Sequence, residues 1–522
     1  MCLLEEHEGL GGLADAGERV GLGGRGGLAR LTDAYVAAFD GLEGDVAGRR
    51  MAADYLEGST GIYHGEVIKV GFIPKMFDTA ALMRLDDIVR MTYGILAKVT
   101  QRFCEDAAYR RLFGFAPLLE RLICLPTGYD CLIPIMRMDL FLDEESMDFM
   151  FCEFNTDGTS AMNEDREGAN ALCLSPTFKA VRGVLGLEAQ ELFEGWVDGF
   201  LRIYEGSEQG AAAAAGAGGQ LAAGALAAGA AGGLAPRIAI VDYAASATGY
   251  EFEEFRRRFE ARGLSCMICD IPELEYRDGA LYGIDVDPGR RLDGLQPIDL
   301  VYRRAVTAEI LAELEDACAD KACGAWALVK AVEDKSVCML GGFVTHVAHC
   351  KQVFVVLHHR DTADFLTEEE NAFIRKHVPY TTRLESECID LEGVKALKDT
   401  WIIKPEDGYA SKGVYAGVDH GQAQWEELVE SCARKPYVVQ AYCAQYATPN
   451  VLTNPADGLS AAQGLGPWNN LTGLYVYNGS FGGIFSRAGQ KGVIVGFAGG
   501  VTVPSFLARY DAGAGLALRV RK

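Results

Sequence analysis

Two apolar runs, CLIPIMRMDLFL and MDFMFCEFN, are separated only by the polar stretch DEES, and this leaves little local choice but two antiparallel strands joined by a turn. Alternate residues of a strand share a face, so Arg137 and Asp139 point one way together. Glu153 and Asn155 point together on the next strand, with Asp157 beyond them. A register that brings these faces opposite each other would gather two carboxylates and an amide oxygen beside an arginine. Oxygen donors of that kind suit magnesium, which takes carboxylates together with nucleotide phosphates and water. The same residues also fit two strands with solvated outer faces and a plain turn at Asn155–Gly158.

At 522 residues the chain exceeds what one core usually organises, so two or three lobes are expected. Lys and Arg total 49 against 73 Asp and Glu, a formal charge of −24. A nucleic-acid partner needs a broad basic surface, which this balance argues against, although a local cationic pocket for a nucleotide remains compatible. The 15 cysteines are scattered through apolar segments and read as reduced, buried thiols of a cytoplasmic protein. Cys266 and Cys269 are C-x-x-C spaced but lie in a strand-like run with no second ligand pair, and read as core. The start lacks the basic head and apolar run of a secretory signal. An Ala/Gly-rich stretch near 206–236 is too weakly apolar for a membrane span and too glycine-rich for a stable helix, so it reads as a linker or insertion. No membrane partner is expected.

The periodicities divide the chain further. Residues 1–30 read as a Gly-rich, disordered start. Residues 31–205 hold helical patterns, notably TAALMRLDDIVRMTYGILAKVTQRF, and the strand pair. Over 237–324, RIAIVDY, YEFEEFRRRFEARG, LSCMICDI and IDLVYRRA alternate strand, helix, strand, strand, as a small parallel α/β unit. Its first turn lacks the glycine fingerprint of dinucleotide folds, so a cofactor there is not expected. Residues 325–522 are mixed and include a hairpin turning at Asn478–Gly479.

That last region carries further candidates. Lys404 ends the apolar strand of IIKPEDGYASKGV, and a loop with Gly408, Ser411, Lys412 and Gly413 follows, able to present backbone N–H groups and an ammonium to phosphates. An ordinary hairpin is the plainer reading. Lys335, flanked by acids, reads by itself as a solvated helix residue. PYVVQAYC, with Gln440, Ala441 and Tyr442 at its exit, is either a core strand or an edge for an adenine. Arg487 closes an apolar strand among glycines, where it could reach an anion. His346 and His349 are three apart without an evident third metal ligand.

In their order, RMD at Arg137–Asp139, EFNTD at Glu153–Asp157, VYRRA around Arg303 and Arg304, DKSVCML, LTEEENAFIRKHVPYT and IIKPEDGYASKGV resemble the glutathionylspermidine synthase family. That family is the circularly permuted branch of the ATP-grasp ligases, and the similarity spans about Tyr93 to Ser505. The resemblance implies an α/β (α+β) fold, a permuted ATP-grasp with an embedded pre-ATP-grasp-like α/β domain. It implies Asp139, Glu153 and Asn155 as ligands of magnesium, two Mg2+ ions in the family's manner, and Arg137 as stabiliser of the transferring phosphoryl group or of the developing oxyanion. Lys335 and Lys404 would hold ATP phosphates, the 408–413 loop would close over them, the Gln440–Tyr442 backbone would line the adenine pocket, and Arg487 would contact the γ-phosphate. The implied activity is ATP-dependent joining of a small-molecule carboxylate to an amine through an acyl phosphate. The alternatives are an inactive nucleotide-binding protein or a small-molecule phosphotransferase. No Cys/His amidase domain is recognisable, and neither substrate is identified by these motifs.

Overall fold

The computed structural model describes residues 26–216, 224–226, 229, 235–316, 323–408, 411–453, 464–494 and 499–509. Ile135–Leu142 and Phe149–Asn155 form the expected antiparallel pair. On its other side Ile135–Leu142 pairs with Gly466–Tyr477, from the far end of the chain. The resulting antiparallel sheet runs Val501–Thr502, Ser480–Gly489, Gly466–Tyr477, Ile135–Leu142, Phe149–Asn155, and Ala447–Asn450 joins it along Gly466–Tyr477. Asn478 and Gly479 turn the long hairpin with φ of 47° and 80°, both positive, which is what a two-residue turn matched to strand twist requires.

One face of this sheet is core. Met136, Met138, Leu140 and Leu142 point into it from the first strand, and Phe149, Phe151 and Phe154 from the second. Against them packs the helix Thr79–Glu105, 27 residues long. Asp78 caps its start, accepting from the Ala81 N–H at 2.9 Å. Leu85, Ile88, Val89, Ile95, Leu96, Val99 and Phe103 recur at helical spacing and are all buried. Each such side chain contributes about 1.5–3 kcal/mol of burial. The opposite face carries Arg137 and Asp139 beside a second buried cluster that includes Ile135, Tyr475, Tyr477 and Phe485.

The parallel unit is present, ordered Cys338–Leu340, Leu300–Arg303, Ile238–Asp242, Cys266–Asp270, every neighbour parallel. It runs past 324, because Cys338–Leu340 completes the sheet after the helix Gly324–Glu333. The strand order reverses between Ile238–Asp242 and Leu300–Arg303, so a crevice opens at their carboxyl ends. A third sheet, Thr381–Arg383, Tyr437–Ala441, Trp401–Pro405, Tyr415–Ala416, is antiparallel and carries Lys404. The molecule is therefore mixed α/β.

Two expectations need correction. The Ala/Gly-rich stretch begins as helix, Glu208–Gly216, because alanine favours helix and the Ser207 hydroxyl accepts from the Gly210 N–H at 3.0 Å. Cys323 is disulfide-bonded, whereas the other described cysteines, Cys266 and Cys269 among them, are free thiols. The chain start up to residue 25 and most of 217–234 lie outside the described residues. Among the described residues no helix is long and apolar enough to cross a membrane.

The antiparallel sheet and the parallel unit are fastened together at Asp157, just past the second carboxylate strand. Its Oδ1 accepts from Arg303 Nη2 at 2.9 Å and from Thr345 Oγ1 at 2.7 Å. Its Oδ2 accepts from the Thr307 N–H at 3.0 Å and from the Thr307 hydroxyl. Both charged side chains are almost wholly buried, at 0% and 1% exposure. Burial opposes the charge on Asp157, but Arg303 foremost, with His346 and His349, holds the carboxyl well below the ordinary range. Asp157→Ala should therefore leave Arg303 charged without its partner and cost about 3–5 kcal/mol in urea unfolding at pH 7. Because the folded-state pKa is depressed, the carboxylate's contribution is present above the unfolded value near about 3.9 and is lost as pH falls through the folded one. The gap between wild type and variant should shrink as unfolding is measured at progressively lower pH below that value; a gap that widens there contradicts the assignment.

Candidate functional site

An open cleft of about 1100 Å³ lies between the Arg137–Asp139 face of the antiparallel sheet and the carboxyl ends of the parallel strands. Arg137, Asp139, Glu153, Asn155 and Arg487 line it from the sheet, and Asp242, Thr248 and Arg304 from the parallel unit. The register brings the motif faces opposite each other: Arg137 pairs with Asn155, and Asp139 with Glu153. The pairing slips by one residue just after Asp139, where Leu140 pairs with Phe151 and Cys152 is left over. This bulge moves Phe154 into the core and leaves Glu153 and Asn155 on the cleft side.

Arg137 grips Asp139 with both arms, Nε to Oδ1 at 2.6 Å and Nη2 to Oδ2 at 2.8 Å, and its Nη1 donates to the Ser160 carbonyl at 2.9 Å. Burial opposes the guanidinium charge, but Asp139 overrides it and holds Arg137 protonated, above its ordinary value. Asn155 Nδ2 donates to Asp139 Oδ2 at 3.1 Å, which leaves its amide oxygen as an acceptor. Arg137 and Arg487 both lie over the Phe485 ring, 5.0 and 5.1 Å from its centroid, so one ring steadies two cations. Arg487 also approaches Glu164, at 3.6 Å.

Room for the Arg137–Asp139 pair comes from Gly473, which faces Asp139 on the neighbouring strand. A Cβ there would stand 2.7 Å from Arg137 Cδ and 2.8 Å from Asp139 Oδ1. Both contacts are closer than side-chain packing allows.

Behind the carboxylates stand two buried lysines. Lys404 Nζ donates to Gln440 Oε1 at 2.7 Å and to the carbonyl of the bulged Cys152 at 3.0 Å. Lys351 Nζ donates to the Gly408 carbonyl at 3.0 Å and lies 3.8 Å from Glu153 Oε2. Burial opposes the Glu153 charge, but Lys351 first, then Lys404 and Arg137, hold it below the ordinary carboxylate value. In the loop, Ser411 reaches the cleft and has φ of 55°; Gly413 has φ of 74°, with the Tyr437 hydroxyl beside it. Lys412 is exposed. At the strand exit the N–H groups of Ala441 and Tyr442 are spent within the protein, on the Tyr380 and Thr400 carbonyls, both at 2.8 Å. Hydrogen bonds from these two N–H groups to an adenine would have to displace them.

Lys335 is not brought to this site. It is solvent-exposed just after the helix Gly324–Glu333, with φ of 56°, and pairs with Glu208 at 2.8 Å. The lysine beside Glu153 is Lys351, which sequence reasoning passed over; its only sequence signal was its place next to the His346–His349 pair. His349 lines the cleft, and burial lowers its pKa, whereas His346 sits behind it, where Asp157, Cys350 and Asp407 outweigh burial and push it up to about 10. Asp242 was also missed. Burial pushes its carboxyl up to about 7, against the pull of Arg304.

Among the described residues no group of three or more His, Cys, Asp or Glu side chains is arranged to hold a metal ion. Magnesium needs less from the protein, since one or two carboxylates suffice when phosphates and water complete its shell. Asp139, Glu153 and the Asn155 amide oxygen fit that requirement.

No family model matches the chain, and no curated protein matches it. Among solved structures the chain is similar to a glutathione synthetase-like effector from Globodera pallida in its apo form. The identity is 10%, over 92% of this chain and 98% of that one, with a TM-score of 0.49. It is also similar to a putative gamma-glutamylcysteine synthetase from Methylobacillus flagellatus KT, at 11% identity over 75% and 83% of the two chains, with a TM-score of 0.31. Both likenesses are too distant to carry a functional conclusion.

Gly473→Ala should push the Arg137–Asp139 pair off its position and cost about 1–3 kcal/mol in thermal or denaturant unfolding. A variant as stable as the wild type would contradict the close packing at this strand crossing.

Proposed function

We propose that the chain is an ATP-dependent ligase that joins a carboxylate to an amine through an acyl phosphate, on a circularly permuted ATP-grasp framework like that of the glutathionylspermidine synthases. One observation carries this reading. The strand register sets Asp139 opposite Glu153 and Arg137 opposite Asn155, with Lys351 and Lys404 behind them and Arg487 on the same sheet. A sheet in which two early strands at one end pair directly with a hairpin from the far end of the chain also suits a permuted order.

Phosphoryl transfer asks the protein for positioning and charge neutralisation more than for covalent help. Lys351 and Lys404 bind nucleotide phosphates from the side of the third sheet. Asp139, Glu153 and Asn155 would hold magnesium, which would neutralise phosphate charge. Arg137, fixed in place by Asp139 and Ser160, and Arg487 face the cleft where charge moves between oxygens. A substrate carboxylate oxygen attacks the γ-phosphorus as the bond to the β-phosphate oxygen breaks. The amine nitrogen then attacks the acyl carbon, phosphate leaves, and the amine's proton is lost with it.

The phosphate roles of the lysines separate cleanly. Lys351→Ala should weaken ATP binding by roughly 10- to 100-fold, the loss of one hydrogen bond to a charged group, whereas Lys335→Ala should leave it unchanged. Calorimetric titration of ATP with magnesium measures both. Equal affinity for wild type and Lys351→Ala would overturn the clamp assignment, and a loss confined to Lys335→Ala would reverse it.

A further inference from the structure

An acyl phosphate in water is a liability. If water rather than the amine attacks the acyl carbon, the bond to the phosphate oxygen breaks in the same way, the acid is regenerated and ATP is consumed without product. A ligase therefore needs a wall between the reacting carbon and solvent.

One element at the rim has the right position. A two-pair hairpin, Ile62–Tyr63 with Glu66–Val67, turns at His64 and Gly65, whose φ values are 48° and 81°. It is tethered at its base, where the Ile68 N–H donates to the Gly61 carbonyl at 2.9 Å, and its second strand is exposed at both residues. Tyr63 and His64 line the cleft, their rings 4.2 Å apart at 76°. A second recess of about 590 Å³ adjoins the cleft, lined by Glu66, Lys69, Glu164 and Thr502 among others. Tyr63 and Arg487 line both spaces. The half-buried Tyr63 thus stands at the boundary of the two spaces, as does Arg487.

We propose that Tyr63, presented by the Ile62–Val67 hairpin, is the residue that decides between amine and water as nucleophile, its ring closing the passage between the cleft and the second recess. This rests on the ligase reading above. The ring, not the hydroxyl, does the work, because the requirement is to fill the passage with apolar surface. Burial raises the phenol's pKa, so it stays neutral in any case.

The test uses the full chain with ATP, magnesium, hydroxylamine as the nucleophile, and the carboxylic acid from a panel of aliphatic acids, amino acids and short peptides that supports the greatest ADP release by wild type. The readout is ADP released per hydroxamate formed. Wild type should give a ratio near one. Tyr63→Ala should release ADP with the acid alone and raise the ratio several-fold, and Tyr63→Phe should restore it to near one. A Tyr63→Ala ratio equal to wild type, or loss of its acid-dependent ADP release altogether, overturns the role of Tyr63 and leaves the ligase reading standing. Absence of acid-dependent ADP release by wild type with every acid of the panel overturns the ligase reading, and the partition with it.

Discussion

In the strand Phe149–Asn155 the core positions are Phe149, Phe151 and Phe154, a sequence of steps that a regular strand cannot make. The extra residue, Cys152, absorbs the change of parity. Without it Glu153 would face the phenylalanine core, where an unpaired carboxylate costs several kcal/mol or is forced neutral. With it, Glu153 and Asn155 stand across from Asp139 and Arg137, and the displaced Cys152 carbonyl is free to accept from Lys404. One bulge thus brings together the carboxylates and the buried Lys404, and ties the antiparallel sheet to the third sheet.

The electrostatics follow from that geometry. A chain with a formal charge of −24 concentrates cations at one place. Arg137, Arg487, Lys351 and Lys404 converge on the carboxylates, and Arg304 stands on the opposite wall with Glu251 at 2.9 Å. Each cation is held by carboxylates, carbonyls or an aromatic face, so the charges are oriented before any ligand arrives. Asp157 and Arg303 lock the second wall to the first, which fixes the width of the cleft.

Much of this was legible in the sequence because it depends on local rules. The alternation in IMRMDLFL gave the shared face of Arg137 and Asp139, the Asn478–Gly479 dipeptide gave its hairpin, and RIAIVDY with LSCMICDI gave the parallel strands. The parity break in FMFCEFN was not: regular alternation sets Glu153 on the face of Phe149 and Phe151, and only the register with the neighbouring strand puts Phe154 there instead. What was not legible depends on contacts remote in sequence. Lys351 sits in an apolar stretch whose approach to Glu153 no spacing reveals, while Lys335, flanked by acids, proved as solvated as its neighbours suggest. Gly473 looked like any strand glycine until the side chains of the adjoining strand filled the space above it. Asp242 and Arg304 reach the cleft only because the strand order reverses between them.

The most direct measurement is phosphate release by the purified chain with ATP and magnesium across a crossed panel of carboxylic acids and amines, with mass spectrometry of the products. Ligation predicts phosphate release that requires an acid and peaks with one acid–amine pair, together with a product whose mass is that of the two less one water. Nucleotide binding with no turnover across the panel, or a product heavier by a phosphoryl group and carrying no amine, would contradict it.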